Sequence, residues 1–247
     1  MALSGLRGAV GFLTRVPVGH DEHCFRRFRT RPYLFPLVGY GIGFLVVFPF
    51  LLPVSGLTVA FLYVVSLFIV TGINHADGLA DLGDAAVVHG DQAARQSAMR
   101  DTTTGVGATV ALVVALVGLA LAGVGLSTLP TRAAVGIVVA AEVAAKLAMA
   151  MLACLGAPSH EGLGSQLTGA TVRDLPGVVL VAAPAAVLGW PELGAAVALG
   201  TGPVVAVSLL GWAQSRLGGV SGDVFGAGNE LARLAALHTG VVAWTLS

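Results

Sequence analysis

Charged residues are scarce in this sequence of 247 residues. Asp, Glu, Lys and Arg together make up 11% of it, less than half the share that is usual in soluble domains. With 56% hydrophobic residues and a mean hydropathy of +0.88, the composition excludes an ordinary soluble domain and is typical of an integral membrane protein. The two cysteines, Cys24 and Cys154, are too few and too far apart to predict a disulfide framework or a cysteine metal site.

Apolar runs long enough to cross a bilayer recur along the chain. They predict an all-α, polytopic integral membrane protein with six to seven transmembrane helices. The predicted spans are residues 34 to 53, 57 to 73, 105 to 126, 133 to 155, 176 to 190, 193 to 212 and, in a shorter run, 231 to 246. Because no repeat of fixed period and no low-complexity linker interrupts the chain, residues 1 to 247 are predicted to form one domain.

Three longer polar stretches, at 74 to 104, 156 to 175 and 213 to 230, fall on the same side of the membrane as the N-terminus. Six arginines precede the first span and five lie in these stretches or at their edges, which makes 11 of the 13 basic residues. Basic residues concentrate in cytoplasmic loops. The pattern predicts a multi-pass protein of the cytoplasmic membrane with a cytoplasmic active face, and a basic segment, 1 to 33, along the inner membrane surface.

The motif "NHADGLADLGDA", residues 74 to 85, places three carboxylates between apolar stretches. Asp77, Asp81 and Asp84 are spaced by four and three residues, so on a helix they share one face. A solvated acidic face is one interpretation. However, carboxylates near membrane depth are costly and usually functional, and a hard divalent cation such as Mg²⁺ would remove their repulsion.

A fourth carboxylate, Asp101, follows Arg100 in "AMRDTTTGVGATV", just before the third predicted span. Two helices that leave and re-enter the membrane would bring Asp101 opposite the three aspartates. The predicted metal ligands are therefore Asp77, Asp81, Asp84 and Asp101. They suffice for one or two cations, the arrangement that stabilises the entering and leaving oxygens of phosphoryl transfer.

Three further features each allow a structural and a functional interpretation. His75 is a packing residue, or it donates to a phosphate oxygen or acts as a base. Glu142 and Lys146, four residues apart, form an ion pair on one helix face, or Lys146 faces a phosphate. The stretch "RLGGVSGDVFGAGNELAR", 216 to 233, is a glycine-rich turn, or its glycines let backbone N–H groups approach phosphates.

Four motifs in order along the chain carry a family resemblance: "FLTRVPV", "HADGLADLGDA", "MRDTTTGVG" and "GGVSGDVFGAGNE". They resemble the motifs of cobalamin synthase, the adenosylcobinamide-GDP ribazoletransferase family. The resemblance implies a Mg²⁺-dependent membrane enzyme of late cobalamin biosynthesis. Such an enzyme joins adenosylcobinamide-GDP to α-ribazole or its 5'-phosphate and releases GMP.

The resemblance also assigns roles to individual residues. It implies catalytic roles for His75, Asp77, Asp81 and Asp101. Substrate or phosphate binding is predicted for Arg100, Lys146, Gly219, Gly222, Asp223, Asn229 and Glu230. The sequence departs from the family pattern at Asn74, where a glycine is expected, and at Thr103, where an arginine is frequent. Since Thr103 removes one candidate phosphate ligand, that task falls to Arg100 or Lys146.

Two alternative functions remain open at this point. "DGLAD" is similar to the core of CDP-alcohol phosphotransferases, whose pattern continues with an arginine where this chain has Asp81. An ion-coupled transporter would instead use Asp77, Asp81, Glu142 and Lys146 as an ion path. This hypothesis predicts acidic residues near the middle of the membrane and two related halves of the chain. The predicted partners are the two substrates and the lipid bilayer, with no nucleic acid; the oligomeric state stays open.

Overall fold

The computed structural model describes residues 2 to 19 and 21 to 247; Met1 and His20, both in the predicted basic segment, lie outside the described residues. The described chain forms helices joined by turns. The α-helices are α1 (Ala2–Leu13), α2 (Glu22–Phe28), α3 (Leu34–Val46), α4 (Gly56–Thr71), α5 (Asn74–Val87), α6 (Gln92–Met99), α7 (Val106–Ser127), α8 (Thr131–Leu155), α9 (Leu163–Leu167), α10 (Leu175–Ala182), α11 (Gly194–Leu217) and α12 (Gly222–Leu246). Short 3-10 helices follow α3 and flank α10, at Phe48–Leu51, Val172–Asp174 and Ala183–Val187. The all-α fold class is confirmed.

Helix α8 forms the centre of the bundle, where it packs against α3, α11 and α12. Its sequence is rich in alanine, so neighbouring backbones approach closely. A Cβ atom at Gly43 of α3 would lie 2.8 Å from the Cα atom of Val139, and one at Gly202 of α11 would lie 2.5 Å from the carbonyl oxygen of Ala144. These contacts bury α8 almost completely.

Three of the described helices, α7, α8 and α11, are long and apolar enough to cross a membrane. The bent pair α4 and α5 makes a fourth if it is one broken span. The predicted first and fifth spans correspond to shorter helices, α3 and α10, each continued by a 3-10 helix with a proline in its first turn, since proline lacks the N–H that an α-helix needs. The count of six to seven spans stays a prediction.

The polar stretches meet at one end of the bundle. The side chains of Gln92 and Gln96 donate to the carbonyl oxygen of Leu217 at 3.1 and 2.7 Å. Pro158 and Val220 form a parallel backbone bridge that joins the second stretch to the third. Near the opposite end, Arg132 donates to the carbonyl oxygen of Trp190. The polar stretches therefore share one end, which we call the polar end.

The N-terminal segment also reaches the polar end. The backbone N–H of Arg15 donates to the carbonyl oxygen of Val70, at the end of α4 and next to α5, at 2.7 Å. Helix α4 ends at Thr71, and the next residue, Gly72, has a φ of 71° that glycine readily adopts. The chain then turns by 99° into α5. Helix α5 consequently runs across the polar end instead of continuing the direction of α4.

The glycine-rich stretch is mainly helical, which corrects the prediction of a polar connection over 213 to 230. Helix α11 continues to Leu217, and α12 begins at Gly222, so the turn is confined to residues 218 to 221. The side chain of Ser221 accepts from the backbone N–H of Val224 and caps α12. The residues after the turn therefore have helical positions that are fixed by packing.

The shared polar end predicts a simple labelling pattern. In a background with Cys24 and Cys154 replaced by alanine, single cysteines at the exposed positions Ala93, Glu161 and Ser215 should react with an impermeant thiol reagent from one side of the membrane only. A cysteine at Thr128 should react only from the other side. Labelling of the first three positions from different sides would contradict the shared end.

Candidate active site

Helix α5 lies against the first turns of α12 with the two backbones in contact. A Cβ atom at Gly78 would lie 2.7 Å from the carbonyl oxygen of Asp223, and one at Gly226 would lie 3.0 Å from that of His75. These distances leave little or no room for a side chain at either glycine. The glycine that follows Asp77 is therefore needed for this helix crossing.

A second glycine pair holds the other side of α5 against α7. A Cβ atom at Gly83 would lie 2.7 Å from the carbonyl oxygen of Gly107, and one at Gly107 would overlap the backbone of Gly83. Gly78 and Gly83 thus place α5 between α12 and α7. The two glycines of the acidic motif act as spacers, while its aspartates remain available for other contacts.

Asp77 and Asp81 provide two carboxylates on α5, to which α12 adds Asp223. Asp77 is exposed, whereas Asp81 and Asp223 are half-buried. Burial, followed by the negative charges of Asp223, Asp77 and Asp84, raises the pKa of Asp81 to about 6. Asp77, Asp81 and Asp84 lie on one helix, as predicted, and we call these three aspartates the acidic stripe. Asp223 brings a further negative charge to the acidic stripe.

Asp84 has a structural task. Its two carboxylate oxygens accept from the backbone N–H groups of Gly105 and Ala108 at 2.8 and 2.9 Å. These N–H groups belong to the first turn of α7 and have no partner within the helix. Asp84 therefore caps α7 and ties it to α5, which leaves it less free than Asp77 and Asp81 to bind a cation.

The structure places Asp101 and Arg100 on the same cavity as the acidic stripe. This acidic cavity has a volume of about 320 Å³. It is lined by Asp77, Ala80, Asp81, Asp84, Met99, Arg100, Asp101, Thr102, Thr103, Thr104 and Ala108. Hydrogen bonds from the side chain and backbone N–H of Thr103 lower the pKa of Asp101. Acidic groups from two segments thus face one space, with one arginine at its edge.

The acidic cavity is not a finished metal cage. Within residues 2 to 19 and 21 to 247, no three acidic, histidine or cysteine side chains converge closely enough to hold an ion. Mg²⁺ does not need such a cage, because it keeps several water ligands and takes one or two carboxylates together with substrate phosphates. The carboxylates fit a cation that arrives with a phosphorylated substrate.

A separate group of charged side chains is buried between α8 and α12. Arg233 donates to Glu142 and, at 2.6 Å, to Glu230, while Lys146 donates to Glu142 at 3.1 Å. Asn229 donates to Glu230 at 2.9 Å. The four charged groups balance in sign and are at most 5% exposed. We call this group the buried ion cluster.

The buried ion cluster settles two interpretations of the sequence. Lys146 pairs with Glu142 and is absent from the lining of the acidic cavity, so the structure favours the ion pair over a phosphate ligand. Arg233 follows the third polar stretch in sequence, but its side chain is fully buried in the bundle. The spacing of Glu230 and Arg233 by three residues was the signal in the sequence for a pair on one helix face.

His75 lies on the buried side of α5. It is 7% exposed, and its Nδ1 atom has no hydrogen-bond partner among the described residues. It is absent from the residues that line the acidic cavity. The structure therefore places His75 as a packing residue at the contact with α12, and does not bring it to the predicted catalytic position.

The predicted phosphate-binding residues of the terminal motif have different surroundings. Gly219 has a φ of 150° and packs on the backbone at Ala157, so it shapes the turn. Gly222 would tolerate a Cβ atom, which would meet only the side chain of Leu163 at 3.4 Å. Asn229 and Glu230 belong to the buried ion cluster. Of this motif, Asp223 adds its negative charge to that of Asp77 and Asp81.

Comparison with known families decides the assignment. The family model for cobalamin-5-phosphate synthase matches residues 5 to 241. The chain belongs to this family. It is therefore an enzyme, a transferase of cobalamin biosynthesis, and the resemblance carried by the four motifs is confirmed.

Curated relatives extend over the whole chain. A protein of Halorubrum lacusprofundi is 50% identical, with 99% of each chain covered, and one of Haloquadratum walsbyi is 44% identical with both chains fully covered. A protein of Methanocella arvoryzae is 33% identical over 98% of this chain and 97% of its own. All three are named adenosylcobinamide-GDP ribazoletransferase. No solved structure matches the chain significantly.

The different surroundings of Asp81 and Asp84 predict opposite effects on stability. Without divalent cations at pH 7, Asp81→Asn should raise the thermal unfolding midpoint in detergent, because it removes a carboxylate that burial and like charges destabilise. Asp84→Asn should lower the midpoint, because an amide nitrogen cannot accept from the α7 backbone. The expected loss is about 1 kcal/mol in the free energy of unfolding. A lower midpoint for both variants would contradict the conclusion that burial and like charges destabilise the Asp81 carboxylate.

Proposed function

We propose that the chain joins adenosylcobinamide-GDP to α-ribazole or α-ribazole 5'-phosphate, with Mg²⁺ bound, and releases GMP. The observation that carries this proposal is the acidic cavity, in which aspartates of α5 and of the loop before α7 line one space. The names of the relatives supply the two substrate classes. The acidic cavity supplies groups that suit a diphosphate with its cation.

The chain's own residues have distinct roles in this proposal. Asp77, Asp81 and Asp101 would hold the cation, directly or through its water ligands, and Asp223 adds negative charge beside Asp81. A bound Mg²⁺ would neutralise the diphosphate and stabilise the charge that develops during phosphoryl transfer. Arg100, at the edge of the acidic cavity, donates to a phosphate oxygen.

The reaction is a displacement at phosphorus. The 3'-hydroxyl oxygen of the ribose forms a bond to the phosphorus that carries cobinamide, and the bond from that phosphorus to the bridging oxygen breaks. GMP leaves with the bridging oxygen, and the hydroxyl proton passes to a carboxylate or to water in the acidic cavity. The product is adenosylcobalamin or its 5'-phosphate. The chain's residues contribute by holding both oxygens in line.

The same proposal includes the location of the site. In the sequence, the arginines concentrate in the N-terminal segment and in the polar stretches that meet at the polar end, which favours a cytoplasmic position for that end. Both substrates are polar and phosphorylated or nucleoside-like, so they would reach the acidic cavity from the cytoplasm. The enzyme would therefore act at the inner face of the cell membrane.

Neither alternative function has comparable support. The family match covers almost the whole chain, whereas the CDP-alcohol pattern fits one pentapeptide and fails at Asp81. For a transporter, the acids would have to form a path through the bilayer, but the buried ion cluster is internally paired and the remaining aspartates lie at the polar end. Release of GMP from adenosylcobinamide-GDP in detergent micelles separates the enzyme from a transporter, which needs sealed vesicles.

The proposal predicts that Asp77→Asn lowers turnover at saturating Mg²⁺ by at least about a hundredfold, because the transition state loses charge stabilisation worth several kcal/mol. GMP release by the purified variant measures the effect. The matched control is Glu192→Gln, which removes one carboxylate at the opposite end, where Glu192 pairs with Arg132, and should keep wild-type turnover. Near-normal turnover of a folded Asp77→Asn variant would refute the role of Asp77.

A further inference from the structure

A second cavity adjoins the acidic cavity and is almost wholly apolar. This apolar groove has a volume of about 360 Å³ and lies between α4, α5 and α7. The side chains that give it its character are Phe68, Ile73, Leu79, Leu112, Leu116 and Leu119. Leu79 and Leu119 are buried in its floor, whereas Ile73 and Leu116 are exposed at its mouth. The apolar groove is therefore open on one side and closed at depth.

The two cavities are continuous. Asp77, Ala80 and Thr104 line both of them, and Glu230 reaches the apolar groove from the buried ion cluster. A molecule seated in the apolar groove would therefore have one end beside Asp77. The catalytic carboxylate and the apolar surface belong to one composite binding site.

The chemistry of the apolar groove selects among the parts of the two substrates. Guanine carries both donors and acceptors along its edges. Of the polar side chains in the described lining, Asp77, Thr104 and Glu230, only Thr104 can donate a hydrogen bond. The acceptor atoms of guanine would therefore lose water with little compensation. The corrin ring, with its amide side chains, is too large for the space. A planar two-ring base with apolar substituents matches both the volume and the lining, with Phe68 available for aromatic contact.

We propose that the apolar groove binds the aromatic base of the acceptor nucleoside. This inference rests on the proposed function, because α-ribazole carries a dimethylbenzimidazole base. With the base in the apolar groove, the attached ribose lies beside Asp77, where its 3'-hydroxyl faces the diphosphate in the acidic cavity. The apolar groove thus sets the choice of acceptor, and the acidic cavity holds the donor.

A single substitution tests this assignment. Ala115 lines the apolar groove and is 9% exposed, so Ala115→Leu should fill part of the space. Its matched control is Val114→Leu, on the same helix, which changes an exposed residue outside the groove. Equilibrium dialysis of labelled α-ribazole, without the donor, should show about tenfold weaker binding to Ala115→Leu and unchanged binding to Val114→Leu.

Kinetics separate this inference from the proposed function. The Michaelis constant for α-ribazole should rise about tenfold in Ala115→Leu, while that for adenosylcobinamide-GDP stays within about twofold of wild type. The inference would be overturned if both variants bound α-ribazole equally, or if only the Michaelis constant for adenosylcobinamide-GDP rose in Ala115→Leu. The apolar groove would then bind a lipid chain or the donor. Wild-type protein that binds α-ribazole but never releases GMP would overturn the proposed function alone.

A measurement on the unmodified protein covers the case in which Ala115→Leu does not fold. Free 5,6-dimethylbenzimidazole should displace labelled α-ribazole from the wild-type protein, and imidazole, which lacks the second ring, should not at the same concentration. Displacement by neither compound, or equally by both, would overturn the assignment of the apolar groove to the base.

Discussion

The backbone contact between α5 and α12 at Gly78 and Gly226 sets the position of the whole site. Because neither residue has a side chain, α5 can lie across the polar end with Asp77 and Asp81 beside Asp223. A methyl group at Gly78 would lie 2.7 Å from the carbonyl oxygen of Asp223, so α5 would have to move outward, and displacements of about 1 Å already affect catalysis strongly. Gly83 and Gly107 add the same constraint on the side of α7. The acidic cavity thus depends on the close backbone packing at these glycines.

The charged side chains of the buried ion cluster lie apart from those that line the acidic cavity. In the buried ion cluster, two acids and two bases neutralise one another inside the bundle. Removing one member would leave a buried charge unpaired, which costs about 3–5 kcal/mol. At the polar end, by contrast, Arg100 is the only cation among the described residues that lines the acidic cavity with the aspartates. This excess of negative charge favours an incoming cation with its phosphates, whereas the balanced cluster has no charge left for a ligand.

The sequence predicts the features that depend on local periodicity. The spacing of Asp77, Asp81 and Asp84 predicts one helix face, and the order of the segments predicts that Asp101 faces that stripe. The sequence does not predict contacts between residues that are far apart along the chain. Asp84 caps α7 through Gly105, and Arg233 pairs with Glu142, 91 residues away. The helix at Gly222 was missed because glycine and polar residues favour a loop, whereas here packing against α5 and the pairing of Glu230 stabilise the helical form. For His75 the sequence left a packing and a functional interpretation open, because its burial depends on α12, which is distant in sequence.

The position of a bound cation tests the central claim most directly. A structure with Mn²⁺ in place of Mg²⁺ and with adenosylcobinamide-GDP bound would locate the metal by its anomalous scattering. We expect the signal between the diphosphate and the carboxylates of Asp77 and Asp81, with Asp101 on the far side of the acidic cavity. A signal at Glu142 or Glu230, or a diphosphate bound away from α5 with no metal beside Asp77, would contradict the assignment of the acidic cavity as the active site.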